Sequence, residues 1–200
     1  PRLSTIQYLK QVGLLDTKPL LAHCIRVDDA DIETLRETGS KVAHCPKSNA
    51  KLGHGRAPFA KFLEAGVAVG FGSDSVGSNN TSDILEEARF AVLLSRAGGS
   101  MITASEALAT ATLGGARCME LEGQVGELRE GFQADLAVLS LTSPHQIPNH
   151  DPVATAIFAS SGRDVITTVI AGREVYRDGR VEGVDEERLR ARLHEISEKL

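Results

Sequence analysis

Two histidines and one aspartate each stand at the end of an apolar, strand-like run, where they could serve in metal or proton-transfer chemistry. The runs cover residues 19–22, 41–43 and 67–73, and they lead into His23, His44 and Asp74. Imidazole and carboxylate are the ligand types of catalytic zinc and iron, and both groups carry protons in acid–base catalysis. A metal site needs at least three protein ligands, so we expect that these three residues do not all bind a metal.

The spacing of the three runs indicates how they are positioned. They recur about every 20 to 30 residues with helical stretches between them, which is typical of βαβ units. Side chains at the carboxyl ends of parallel strands line the active sites of α/β barrels, so we expect His23, His44 and Asp74 to face one mouth. Neighbouring strand residues point to opposite faces. Cys24 and Cys45 are therefore predicted to point toward the helices as small core residues.

Each of the three residues also has a structural interpretation. A lone histidine after a strand, such as His23, is more often structural than catalytic. Asp74 precedes a run of turn-forming residues, so it could cap that turn as readily as it could bind a metal. Their occurrence at equivalent strand ends favours a ligand or proton-transfer role.

Helices are predicted to separate these runs. Their predicted ranges are residues 4–15, 28–39, 58–66, 83–97 and 103–115. Thr103 and Glu106 fit a capping box, and Gly114–Gly115 is expected to end the last of these helices. Residues 45–58 and 75–82 are predicted to be loops, which commonly carry binding residues after barrel strands.

The chain changes character near Glu122. Residues 165–170 and 174–176 are predicted to pair as a hairpin around residues 171–173. A terminal helix is predicted from an apolar stripe of Leu189, Leu193, Ile196 and Leu200.

Composition limits the classes of function. The 200 residues carry a net charge of −5 and no tryptophan, and no basic stripe interleaved with aromatics is present, which argues against a nucleic-acid partner. No apolar run approaches the ~20 residues that span a bilayer. The three cysteines cannot complete a disulfide framework, so a cytoplasmic location is expected. The first residue is Pro1 rather than methionine, which suggests that the chain is a fragment.

Six motifs in this order resemble the amidohydrolase superfamily. They are residues 22–24, 44–49, 72–80, 109–117, 126–136 and 169–173. The nearest branch contains cytosine deaminases, chlorohydrolases and adenosine-type deaminases, and residues 52–58 look most like aminodeoxyfutalosine deaminases. The resemblance implies the α/β fold class: residues 1–120 form the last three strands and helices of a TIM (β/α)8 barrel. Residues 121–184 form part of a small β-sandwich with a segment returning to the barrel, and residues 185–200 form a C-terminal helix.

The resemblance also implies a role for each candidate residue. Asp74 resembles the aspartate that binds the metal and accepts a proton from the attacking water. His23 resembles the histidine that orients and polarises that water. The implied substrate-binding residues are His44, Asn49, Arg56, Ser75 and Ser78.

The implied reaction is metal-dependent hydrolysis of a non-peptide carbon–nitrogen bond, with Zn²⁺ or Fe²⁺ as cofactor. The expected substrate is an aminopurine nucleoside or a related N-heterocycle that loses ammonia. Alternatives within the enzymes are a chlorohydrolase and a cyclic amide hydrolase. A different class is a non-catalytic α/β module or partner-binding fragment.

The sequence departs from the family pattern in one respect. The His-x-His motif, a further histidine ligand and the glutamate that acts as general acid are absent, and Asp74 is the one member of the usual metal set that is present. A single carboxylate cannot hold a catalytic zinc tightly, so the chain alone is expected to be inactive and to bind no metal stably. Open barrel edges predict a homo-oligomer or aggregation.

Overall fold

The computed structural model describes residues 3–199 and contains a parallel sheet with helices packed around it and a separate antiparallel sheet. The strands are β1 (Leu20–Ala22), β2 (Lys41–His44), β3 (Val69–Phe71), β4 (Leu136–Leu139), β5 (Val165–Ile170), β6 (Arg173–Arg177) and β7 (Arg180–Val181). The helices are α1 (Thr5–Gln11), α2 (Asp29–Thr38), α3 (Pro46–Lys51), α4 (Phe59–Glu64), α5 (Val76–Asn79), α6 (Ile84–Ala97), α7 (Ala104–Ala109), α8 (Gly115–Cys118), α9 (Pro152–Phe158) and α10 (Glu186–Ser197). Within the described residues, no helix has both the length and the apolar character that crossing a membrane requires.

The first sheet is parallel, in the order β1-β2-β3. Ala22 pairs with Ala43, and Ala43 pairs with Gly70, so the carboxyl ends of the three strands lie along one edge. The predicted parallel strands are confirmed, although β3 is shorter than the predicted run of residues 67–74. The ladder continues one step beyond it, because the Gly72 N–H donates to the His44 carbonyl at 3.0 Å.

Helix α2 connects β1 to β2 and begins and ends as predicted. The Asp28 carboxylate accepts from the Asp31 N–H at 2.9 Å, and the Asp31 carboxylate accepts from the Asp28 N–H, which together make a capping box. Gly39 ends the helix with a φ of 67°, a conformation that glycine adopts without strain. Ile32 and Leu35 point into the core.

The segment after β2 is helical, so the prediction of a continuous loop over residues 45–58 was wrong. Pro46 stands at the first position of α3, where its fixed φ suits a helix and its missing N–H is no loss. The next N–H, that of Lys47, donates to the buried Glu87 carboxylate at 3.1 Å. The predicted turn over residues 75–82 also contains a helix, α5, which the Ser75 hydroxyl caps.

Gly114 and Gly115 do not end the helix that begins with the Thr103–Glu106 capping box. The chain instead passes from α7 through one wide π-helical turn into α8. A methyl group on Gly114 would lie 2.2 Å from the Val69 carbonyl oxygen of β3. The glycine therefore permits close packing of this helix on the sheet rather than helix termination.

One apolar cluster joins the parallel sheet to its helices. Its largest fully buried members are Phe59, Phe62, Leu15, Leu35 and Ile157. Ile157 belongs to α9, which lies between β4 and β5 in the chain yet packs against α6 and α7. The segment between the antiparallel strands therefore returns to the first half of the molecule.

The second sheet is antiparallel, in the order β4-β5-β6-β7. The predicted hairpin is confirmed: Ala171 and Gly172 join β5 to β6 with φ angles of 50° and 76°, as a two-residue hairpin turn requires. The predicted terminal helix is also present as α10. Its stripe residues Leu189, Leu193 and Ile196 are 50%, 58% and 44% exposed, and Leu200 lies outside the described residues.

Candidate active site

His23 and Asp74 meet at the carboxyl edge of the parallel sheet. His23 Nε2 lies 4.0 Å from Asp74 Oδ2. Both residues have left-handed backbone conformations, with φ angles of 69° and 59°. Such conformations are uncommon for residues other than glycine and concentrate at functional sites.

Local hydrogen bonds account for the turn at His23. Its N–H continues the ladder by donating to the Ala43 carbonyl at 2.9 Å, and the Cys24 N–H then donates back to the Ala22 carbonyl at 2.9 Å. The chain leaves the strand at this point, as it does at Asp74 beyond β3. The side chains of His23 and Asp74 are thereby brought together at the mouth, as the sequence predicted.

Three donors surround the Asp74 carboxylate. The Ser48 hydroxyl donates to Oδ2 at 2.6 Å, the Ser78 hydroxyl donates to Oδ2 at 2.8 Å, and the Ser75 N–H donates to Oδ1 at 2.8 Å. The hydrogen bond from Ser48, followed by those from Ser78 and Ser75, lowers the pKa of Asp74 to about 2. Asp74 is therefore ionised at neutral pH, which suits a metal ligand.

Asn49 fixes the orientation of His23. The amide oxygen of Asn49 lies 2.9 Å from His23 Nδ1. Because an amide oxygen only accepts hydrogen bonds, this contact requires a proton on Nδ1, and the tautomer with its single proton there has none on Nε2. The lone pair on Nε2 is then free on the side of the ring that faces Asp74.

His44 lies behind the mouth, in the protein interior. Its side chain stacks on Phe59 with ring centres 5.0 Å apart, and Phe71 lies against the same ring at 6.1 Å. Burial, followed by the repulsion that a protonated His44 would meet from a protonated His23, lowers the pKa of His44 to about 3. The imidazole is neutral at physiological pH, and contact between His44 and a substrate stays a prediction.

The remaining candidates divide into two groups. Ser75 and Ser78 lie at the mouth and bind Asp74, as described above. The guanidinium of Arg56 packs on Gly98 and donates to the Leu94 carbonyl at 3.2 Å, at the end of α6. Arg56 is thus held apart from the hydrogen bonds around Asp74, and its contact with a substrate is untested.

Two further residues, Ser48 and Glu87, shape the site without having been predicted from the sequence. Glu87 is 0% exposed, and it accepts from the Asn79 side-chain amide at 2.6 Å and from the Lys47 N–H. It joins α3, which carries Ser48, to α5, which carries Ser78. Burial raises the pKa of Glu87. The helical periodicity of α6 could have identified Glu87 as a buried carboxylate, because it shares the buried face of α6 with small and apolar residues.

The donors near the mouth fit part of a metal site. Asp74 offers an ionised oxygen, and His23 offers one imidazole nitrogen. Among residues 3–199, no group of three or more histidine, cysteine, aspartate or glutamate side chains could hold a metal ion. A complete site would therefore need ligands from outside these residues.

Comparison with known proteins gives this site a family. Residues 2–175 match the amidohydrolase family. The chain is 40% identical to the 5-methylthioadenosine/S-adenosylhomocysteine deaminase of Desulforamulus reducens over 197 residues, which cover 97% of this chain and 45% of that protein. It is also 40% identical to the enzyme of the same name from Haloarcula marismortui, covering 98% of this chain and 45% of that protein.

Solved structures support the same family assignment. An adenosine deaminase from Xanthomonas campestris with bound zinc superposes with a TM-score of 0.93 at 29% identity, covering 97% of this chain and 45% of that one. Atrazine chlorohydrolase from Arthrobacter aurescens complexed with zinc superposes with a TM-score of 0.86 at 28% identity, covering 95% and 43%. The chain thus spans less than half the length of the relatives it matches.

These matches confirm the fold class and the branch that the motifs indicated. The three parallel strands and their helices are the last part of a (β/α)8 barrel, and the antiparallel strands and α10 follow it. The match covers 174 consecutive residues of this chain. The chain belongs to the amidohydrolase family.

Proposed function

We propose that a protein containing this chain hydrolytically deaminates a 6-aminopurine nucleoside that carries a sulfur-linked group at its 5′ carbon. The observation that carries the proposal is the ionised Asp74 carboxylate, held by three donors and facing His23 at the carboxyl edge of the sheet. The names of the relatives with 40% identity support this substrate class.

We further propose zinc, or iron in its place, as the cofactor. The zinc-bound structural neighbours support this choice. Asp74 would be one ligand, and the others would come from chain outside these 200 residues, so the isolated chain would be inactive. The ion would supply Lewis-acid activation of the attacking water.

The residues of this chain would hold and move protons during the attack. His23 keeps its proton on Nδ1 through Asn49, so Nε2 can accept a hydrogen bond from the attacking water and orient it toward the ring carbon that bears the amine. Asp74 then accepts the proton from that water. Its low pKa means that a hydrogen bond from Ser48 or Ser78 must weaken as the proton arrives. A carbon–oxygen bond forms, Asp74 passes the proton that it took from the water to the amine nitrogen, the carbon–nitrogen bond breaks, and ammonia leaves.

Chloride release is the second candidate reaction. The superposition on atrazine chlorohydrolase favours it, because that protein shares this scaffold and its name describes removal of chloride from atrazine. A non-catalytic module is less well supported, because the relatives with 40% identity are named as deaminases.

Location and assembly are part of the same proposal. The three cysteines are free thiols, which supports a cytoplasmic protein. Strand β1 is an edge of the parallel sheet in the described part of the chain. We propose that the rest of the barrel covers this edge and that the complete protein is a homo-oligomer, which light scattering would test.

The experiment is a substrate panel with the zinc-loaded complete protein. Methylthioadenosine, S-adenosylhomocysteine and adenosine are assayed for ammonia, and a chlorotriazine is assayed for chloride. Ammonia release that is fastest from the sulfur-linked nucleosides is expected. Release of chloride without release of ammonia would favour the second reaction and refute the first. Release of neither product would refute both reactions. His23→Gln should slow turnover about 10² to 10⁴-fold, whereas His194→Gln, at an exposed histidine of α10, should not.

A further inference from the structure

Two polar atoms are buried without a hydrogen-bond partner in the described part of the chain. They are Nδ1 of His44 and Nδ2 of Asn49. The two residues are only 3% and 1% exposed. Unpaired polar atoms at such depth are costly, about 1–3 kcal/mol each, so each calls for an explanation.

The two side chains line the same small cavity. Its volume is about 10 Å³, and its wall also includes Pro46, Ala57 and Ser95. That volume is close to the space that one water molecule needs. A second requirement for a buried water is two to four polar partners, and His44 Nδ1 and Asn49 Nδ2 provide two.

The two atoms are a possible donor and a possible acceptor, but they form no hydrogen bond with each other in the structure. Asn49 Nδ2 can only donate. His44 is neutral because burial lowers its pKa to about 3, and a neutral ring has one accepting nitrogen. A water can accept from the amide and donate to the imidazole at the same time.

We infer that one water molecule in this cavity bridges Asn49 Nδ2 and His44 Nδ1, and that the bridge makes His44 and Asn49 positioning residues for His23. The bridge directs the NH₂ group of Asn49 inward, so its oxygen faces His23 Nδ1 at 2.9 Å. That oxygen in turn holds the His23 proton on Nδ1 and leaves Nε2 free. The chain of contacts gives the interior histidine a role without substrate contact.

The catalytic meaning of this bridge rests on the proposed function, but its test requires no turnover. Nitrogen-15 NMR of the complete protein at neutral pH reads the tautomer of each histidine, and a water cross-peak to the Asn49 amide protons reads the bridge. We expect His23 protonated on Nδ1, His44 protonated on Nε2, and a cross-peak from a long-lived water. A mixture of His23 tautomers, or no such cross-peak, in the wild type would overturn the inference.

Two variants of one residue separate the bridge from simple packing. His44→Phe keeps a ring against Phe59 but removes the acceptor, so the water cross-peak should be lost and the His23 tautomers should mix. His44→Gln restores an acceptor and should recover the Nδ1-protonated form of His23. His194→Gln, at an exposed histidine of α10, is the control and should change neither signal. An unchanged His23 tautomer in a folded His44→Phe variant would contradict the inference, and if that variant does not fold, the wild-type cross-peak decides.

Discussion

Substitution of the two adjacent glycines of the barrel's final helix should change stability in opposite directions. Gly114 and Gly115 have nearly the same helical conformation, with φ angles of −60° and −58°. By propensity alone, alanine at either position should stabilise the protein by about 0.5–1 kcal/mol. The surroundings of the two positions differ, and this difference determines the expected signs.

At Gly114 the added methyl would lie 2.2 Å from the Val69 carbonyl oxygen. That is about 1 Å less than an ordinary contact allows, and the obstacle is backbone rather than a mobile side chain. Overpacking of this kind costs about 1–3 kcal/mol. With the propensity gain subtracted, Gly114→Ala should lower the free energy of unfolding by up to about 2.5 kcal/mol and displace β3.

Gly115 is the matched control, because nothing lies within 4 Å of the added methyl. Gly115→Ala should keep the full propensity gain and raise the free energy of unfolding by up to about 1 kcal/mol. The assay is urea unfolding of both variants followed by circular dichroism. Their free energies of unfolding are compared provided that the slope of free energy against urea concentration is the same. A Gly114→Ala protein as stable as the wild type would refute the assignment of this glycine to helix–sheet packing.

Two further substitutions test the site and the core. Ser48→Ala removes the 2.6 Å hydrogen bond to the carboxylate and should raise the pKa of Asp74 from about 2 toward 3.8 in a carbon-13 NMR titration. Since the folded-state pKa of Asp74 is lowered, its contribution to stability is present above the unfolded pKa and is lost as the pH falls toward 2. The free energy of unfolding of the variant should therefore fall less between neutral and acid pH than that of the wild type. An unshifted titration of Asp74 would contradict this. Phe62→Ala, at a fully buried side chain, should lower the free energy of unfolding by about 3–5 kcal/mol. Leu128→Ala, at a side chain that is 88% exposed, should change it by less than about 0.5 kcal/mol, and equal effects would contradict the location of the core.

The strand ends could be predicted because they depend on local pattern. Apolar runs at βαβ spacing placed His23 and Asp74 at one edge of a parallel sheet. Capping also has a local signature, so the Asp28 and Thr103 helix starts were predicted. The hairpin at residues 171–172 followed from its glycine and its flanking strands.

The contacts that shape the site could not be predicted in this way, because they join distant segments. Ser48 reaches Asp74 across 26 residues, and Glu87 reaches the Lys47 N–H across 40. Helix α3 has six residues, few of them apolar, so its sequence pattern resembles that of a loop. In the structure, Glu87 accepts a hydrogen bond from the N-terminus of this helix. Gly114 resembled a helix terminator because its actual neighbour, Val69, lies 45 positions earlier in the chain.

The most direct test of the account is the effect of Asp74→Asn on ammonia release by the complete, zinc-loaded protein. Asparagine keeps the shape of the side chain, but it removes both the negative charge and the ability to accept a proton. Loss of a positioned proton acceptor alone predicts a fall in kcat of about 10² to 10⁴-fold, and loss of a metal ligand would add to it. A kcat within about tenfold of the wild type would contradict the central role given to Asp74.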